Sequence, residues 1–143
     1  MTQQMPIYTE TLTVPAGTTQ NNPATVEIEV EEYTVTRIDV FFPPGCHGLV
    51  HVVVFYGAEQ LAPKPTGKTI IGNAETVSWP EEWKCPDRPA TLEFRGWAPL
   101  TNYDHNITCR VVTRPLAQEK TVREAAESQS LLVRFLKHLI GVR

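Results

Sequence analysis

From residue 24 to residue 114 apolar and polar side chains alternate with a period of two, and proline or glycine interrupts the alternation at short intervals. In an extended strand alternate side chains point to opposite faces, so this pattern describes strands with one face buried and one solvated. Val26, Ile28 and Val30 share one face, with Glu27, Glu29 and Glu31 on the other. Ile38, Val40 and Phe42 repeat the pattern against Arg37 and Asp39. The run Leu49 to Tyr56 is apolar on both faces except at His51, as expected of an interior strand covered on both sides. Shorter signals lie at Tyr8 to Val14, Thr69 to Ile71, Glu75 to Trp79, Thr91 to Trp97 and His105 to Thr113. Turn chemistry separates them: Pro15-Ala16-Gly17, Asn21-Asn22-Pro23, Pro43-Pro44-Gly45, Pro63 to Gly67 and Gly72-Asn73. No helical pattern fills the connections, which excludes a parallel α/β sheet. Eight short strands predict an all-β, jelly-roll-like antiparallel β-sandwich.

The pattern changes at Pro115. Residues 1–114 carry 8 basic and 13 acidic groups, whereas 115–143 carry 5 and 3. Two units follow: a β-sandwich over 1–114 and a helical extension over 115–143. Thr121-Val122-Arg123-Glu124 has the spacing of a capping box, in which a Thr hydroxyl and a Glu carboxylate satisfy exposed amides at a helix start. Val122, Ala125, Gln129, Leu132, Leu136 and Leu139 follow at three- and four-residue spacing, widened by Phe135 and Ile140. This predicts an amphipathic α-helix whose apolar side needs a partner, since a helix this short is marginal alone. Its own domain, a symmetry mate, another protein or a membrane surface could supply one. The segment Leu131 to Arg143 has three Lys or Arg residues and no acid, which leaves an acidic partner open.

The 143-residue length predicts one main core. A net charge of -3 argues against broad nucleic-acid binding, which needs concentrated Lys and Arg. No apolar run reaches the ~18 residues of a membrane span, and the first residues lack the basic and apolar regions of a secretion signal. Synthesis in the cytosol, with the three cysteines reduced, is the expectation.

Several motifs invite a chemical reading. Ala62-Pro63-Lys64-Pro65-Thr66-Gly67-Lys68-Thr69 fits a loose phosphate-loop expression, but the two prolines lack amides and a strand rather than a helix follows. His47, His51, His105 and His138 with Cys46, Cys85 and Cys109 lack the paired spacing of a zinc site, so structural roles are expected and no metal or other cofactor is assigned. Glu81, Glu82 and Asp87 lie near Trp79, Trp83 and Trp97, raising a glycosidase or sugar-binding reading. Adjacent acids in sequence usually point apart, and acids on turns form a solvated face, so the enzyme reading is set aside. A carbohydrate platform on Trp79, Trp83 or Trp97 stays as an alternative, to be decided by their exposure.

Val14-Pro15-Ala16-Gly17-Thr18-Thr19, Asn22-Pro23, the run Phe42-Pro43-Pro44-Gly45-Cys46-His47-Gly48-Leu49-Val50, and Asp104-His105-Asn106-Ile107 before a last strand resemble small β-sandwich structural proteins of tailed bacteriophages, over residues 10–113. The resemblance implies a capsid decoration or auxiliary head protein: a non-enzymatic virion component, homotrimeric, seated on the major capsid protein or another virion protein. Pro43, Pro44, Leu49 and Val50 are the candidate contacts in the sandwich. Leu132, Phe135, Leu136 and Leu139 are those of the helix. The other alternative is a membrane- or cargo-docking protein acting through that helix, with a membrane the less expected partner.

Overall fold

The computed structural model describes residues 6–31, 34–114 and Leu132. Eight strands follow one another: β1 (Ile7–Val14), β2 (Ala24–Val30), β3 (Thr34–Phe42), β4 (His51–Tyr56), β5 (Glu59–Ala62), β6 (Glu75–Lys84), β7 (Ala90–Trp97) and β8 (His105–Arg114). They pair antiparallel into two four-stranded sheets, ordered β1-β8-β3-β6 and β2-β7-β4-β5. Only the β4–β5 hairpin stays within one sheet, and every other connection passes from one sheet to the other. The result is a β-sandwich.

The alternation seen in the sequence becomes the inside and outside of the sheets. Val30, Val35, Ile38, Val40, Phe42, Val52, Val54, Leu92, Phe94, Ile107 and Val111 are buried between them. Glu27 and Glu29 of β2 face solvent beside buried Ile28 and Val30. In β4 Val52, Val53 and Val54 are all buried. Val52 and Val54 pair with Gly96 and Phe94 on the inner face, and Val53 is covered from outside.

One strand differs from the expectation. Thr69 to Ile71 contributes only an isolated bridge between Ile70 and Val52, and Glu59–Ala62 forms the strand beside β4. Strand β6 continues to Lys84 through Pro80, which an edge position tolerates because the missing amide faces no partner.

Strand direction gathers the longer loops at one pole. Pairing of Val14 with His105, His51 with Trp97 and Phe42 with Glu75 places loops 15–23, 43–50, 63–74 and 98–104 together. The start of β1 and the end of β8 lie at the opposite pole, where Ile7 pairs with Val112. The helix expected within 115–143 lies outside the described residues, of which Leu132 alone belongs to that segment.

Candidate functional site

The four loops at the upper pole are joined by hydrogen bonds. The Gly17 amide donates to the Ala98 carbonyl at 3.2 Å and the Ala98 amide to the Thr18 carbonyl at 2.9 Å. Asp104 Oδ1 accepts from the Ala16 amide at 2.9 Å. Asn73 Oδ1 accepts from the amides of both Gly45 and His47, each at 3.0 Å. The Gly45 carbonyl in turn accepts from the Tyr103 hydroxyl at 3.3 Å and from His105 Nε2 at 3.2 Å. A carbonyl can only accept, so His105 carries its proton on Nε2. Loop 43–50 is thereby tied to both neighbours, with Gly45 at φ 101° and His47 at φ 49°, in the left-handed region a side chain seldom adopts.

This framework holds apolar side chains out into solvent. Leu100 is 74% exposed, Tyr103 57% and Ile71 48%. Leu49 is half-buried and, with Leu100 and Tyr103, lines a depression of about 190 Å³. Among the contacts expected in loop 43–50, Pro44 is exposed and Pro43 half-buried, whereas Val50 is fully buried. Val50 follows the turn and points into the core, so it offers no surface to a neighbour. Leu132 is 57% exposed; Phe135, Leu136 and Leu139 lie outside the described residues. Leu100 and Tyr103 escaped the sequence reading because each sits in a turn or bend without periodicity, whereas that reading places Ile71 at the end of a strand. The Gly72-Asn73 turn was visible, but its reach to a loop 26 residues away was not.

The three tryptophans do not form one platform. Trp79 and Trp83 share the inner side of edge strand β6, opposite Ile38 and Val35, and pack half-buried against the core. Trp97 belongs to the other sheet and is 8% exposed. It lies on the outer face, stacked on His51 with ring centroids 5.9 Å apart and planes 12° from parallel. The His51 ring also meets the Thr69 hydroxyl at 2.9 Å, and burial holds its pKa below the ordinary 6.5.

Trp97, Val53 and Phe55 floor a cleft of about 240 Å³ on that outer face, walled by loops 15–23 and 63–74. The Arg95 guanidinium lies over the Phe55 ring at 4.0 Å, and its Nε bonds Glu93. Gln60 shapes the wall: its Nε2 donates to the carbonyls of Pro63 at 2.7 Å and Lys68 at 3.0 Å. The phosphate-loop resemblance of 62–69 ends here, since no helix follows and the segment folds back on Gln60.

The acidic cluster is dispersed. Glu82 pairs with Arg114 at 2.7 Å, Glu81 approaches Lys64 at 3.9 Å, and Asp87 accepts from the Tyr56 hydroxyl. That bond raises the Tyr56 pKa. The three cysteines are free and buried, and burial lifts the Cys109 thiol to about 12. Among the described residues no three His, Cys, Asp or Glu side chains gather as a metal site.

No family model matches the chain, and no curated protein does. Among solved structures it is similar to a mitogen derived from Yersinia pseudotuberculosis, at 8% identity and TM-score 0.41, over 78% of this chain and 88% of that one. A Bacillus endospore appendage protein of disulfide-linked pili is similar at 16% identity and TM-score 0.32, over 78% and 93%. Likenesses this distant carry no functional argument. What the geometry itself offers is a stiff apolar pole and, beside it, a small aromatic cleft with a cationic rim.

Proposed function

We propose that this chain is a non-enzymatic structural protein of a tailed-phage virion, a capsid decoration or auxiliary head protein that reinforces the shell. The observation that carries the reading is the pole itself: Ile71, Leu100 and Tyr103, with half-buried Leu49 lining the depression beside the last two, project from loops fastened to one another by backbone and side-chain hydrogen bonds. Apolar side chains exposed on a stiff support suit a preorganised contact, because little ordering entropy is lost on docking. The turn residues Pro43-Pro44-Gly45 within that pole are also those that carry the phage resemblance. The strand order β1-β8-β3-β6 over β2-β7-β4-β5 suits a jelly-roll winding. In this reading the protein forms a homotrimer, a closed ring of like contacts, and the pole faces a neighbour or the major capsid protein. The amphipathic helix expected after Pro115 adds a second contact.

The test is the mass of the protein in solution together with co-sedimentation on empty capsids. A trimer that co-sediments, and loses capsid binding roughly tenfold in a Leu100→Asp, Tyr103→Asp double variant of unchanged melting temperature, supports the proposal. A monomer at micromolar concentration that ignores the capsids overturns it.

A further inference from the structure

We infer that the cleft on the outer face of the β2-β7-β4-β5 sheet is a binding site for a single carboxylate-bearing pyranose, of the uronate or sialate class. It rests on residues separate from the apolar pole and stands whether or not the chain decorates a capsid. The volume of about 240 Å³ lies below the ~300–1,000 Å³ of sites for drug-sized ligands, which limits the occupant to about one ring. Apolar Val53, Phe55 and Trp97 form the floor, and the amide side chain of Asn21 and the cations Lys68 and Arg95 stand in the walls. A pyranose has this same division: C–H bonds on one face, hydroxyls around the edge. Trp97 and Val53 offer the apolar surface for the C–H face, since Arg95 already lies over the Phe55 ring, and the amide and cations receive the edge.

Charge selects the acidic members of that class. Glu93 engages Arg95 through Nε, which leaves the terminal guanidinium nitrogens without a partner among the described residues. Lys68, by contrast, has no carboxylate partner among them. No Asp or Glu lines the cleft; Lys68 lacks an anion there, and Arg95, already paired with Glu93 through Nε, keeps its terminal nitrogens for a sugar carboxylate. Arg95 lies over Phe55, so its guanidinium is already aimed before a ligand arrives. The wall that carries Lys68 is itself anchored, since the Lys68 carbonyl accepts from buried Gln60 and the Gly67 amide donates to Gln60 Oε1 at 3.4 Å. His51, beneath Thr69, is held toward its neutral form and brings no competing charge.

Backbone amide NMR shifts, titrated with sodium D-glucuronate, N-acetylneuraminate, D-glucose and sodium acetate at constant ionic strength, test the site. The expected result is saturable shifts at Asn21, Lys68, Arg95 and Trp97 with one of the two acidic sugars, and binding of glucose and acetate at least roughly tenfold weaker. Lys68→Ala, at an exposed position, should weaken the acidic sugar roughly tenfold while leaving the melting temperature and the shifts of the apolar pole unchanged. Glucose binding as tightly as the acidic sugars overturns the charge selection, and acetate doing so overturns the sugar. Absence of shifts from both acidic sugars, or an unaltered affinity in Lys68→Ala, overturns the site.

Discussion

Gly96 and Val14 meet across the sandwich so closely that a Cβ on Gly96 would stand 2.8 Å from Val14 Cγ2 and 2.9 Å from Leu12 Cδ2. Both neighbours, Val14 and Leu12, are fully buried core residues. Gly96→Ala should therefore overpack the interior, at a cost of about 1–3 kcal/mol. Thermal unfolding should show a melting temperature lower by roughly 4–12 °C. An unchanged melting temperature would mean that β1 and β7 can move apart, contrary to the packing described.

Asn73 holds loop 43–50 in place by accepting from two backbone amides at once. Asn73→Ala leaves both donors to water, and because the site is exposed the loss of stability should stay near ~1 kcal/mol. The larger effect is local. Hydrogen exchange at Gly45 and His47 should accelerate while the core strands keep their protection. Unchanged exchange at these two amides would show that the loop does not depend on the carboxamide.

All three thiols are buried, and Cys109 at about 12 is almost entirely protonated at neutral pH. The thiolate is the reactive form, so a thiol reagent at pH 8 should modify none of the three in the native protein and all three in denaturant. Rapid modification of Cys109 without denaturant would contradict its burial against Val40 on β3.

Acid should weaken the fold through His51. Its folded pKa is lowered by burial, so between that value and the ordinary 6.5 the unfolded chain binds more protons. This contribution is complete above 6.5 and is lost as the pH falls through the window below it. The melting temperature should decline on acidification, and His51→Gln, which keeps a partner for Thr69, should flatten that slope. An equal slope in the variant would place the pH dependence elsewhere.

Seven of the eight strands were legible because alternation is local: each needs only its own residues to show a buried and a solvated face. Strand β5 was not, since Glu59-Gln60-Leu61-Ala62 has three consecutive buried residues and a register irregularity beside Val54. Gln60 is buried by its bonds to loop carbonyls, which no hydropathy pattern reveals. Thr69 to Ile71 looked like a strand for the opposite reason, having the right residue types and only a two-residue bridge to make. The inward direction of Trp79 and Trp83 was available from their register with Val77, whose parity they share. The cleft and the pole were not available, because each joins loops whose proximity depends on the strand order. Single turns announce themselves; their meeting place does not.

The chain enters β1 and leaves β8 at the pole farthest from the four fastened loops. With ten residues in β8 at ~3.3 Å each, Ile7 and Arg114 stand about 30 Å away from those loops. A dye or bead carried on exposed Ile7 would leave the loop pole unobstructed, so the two ends of the sandwich can be probed independently.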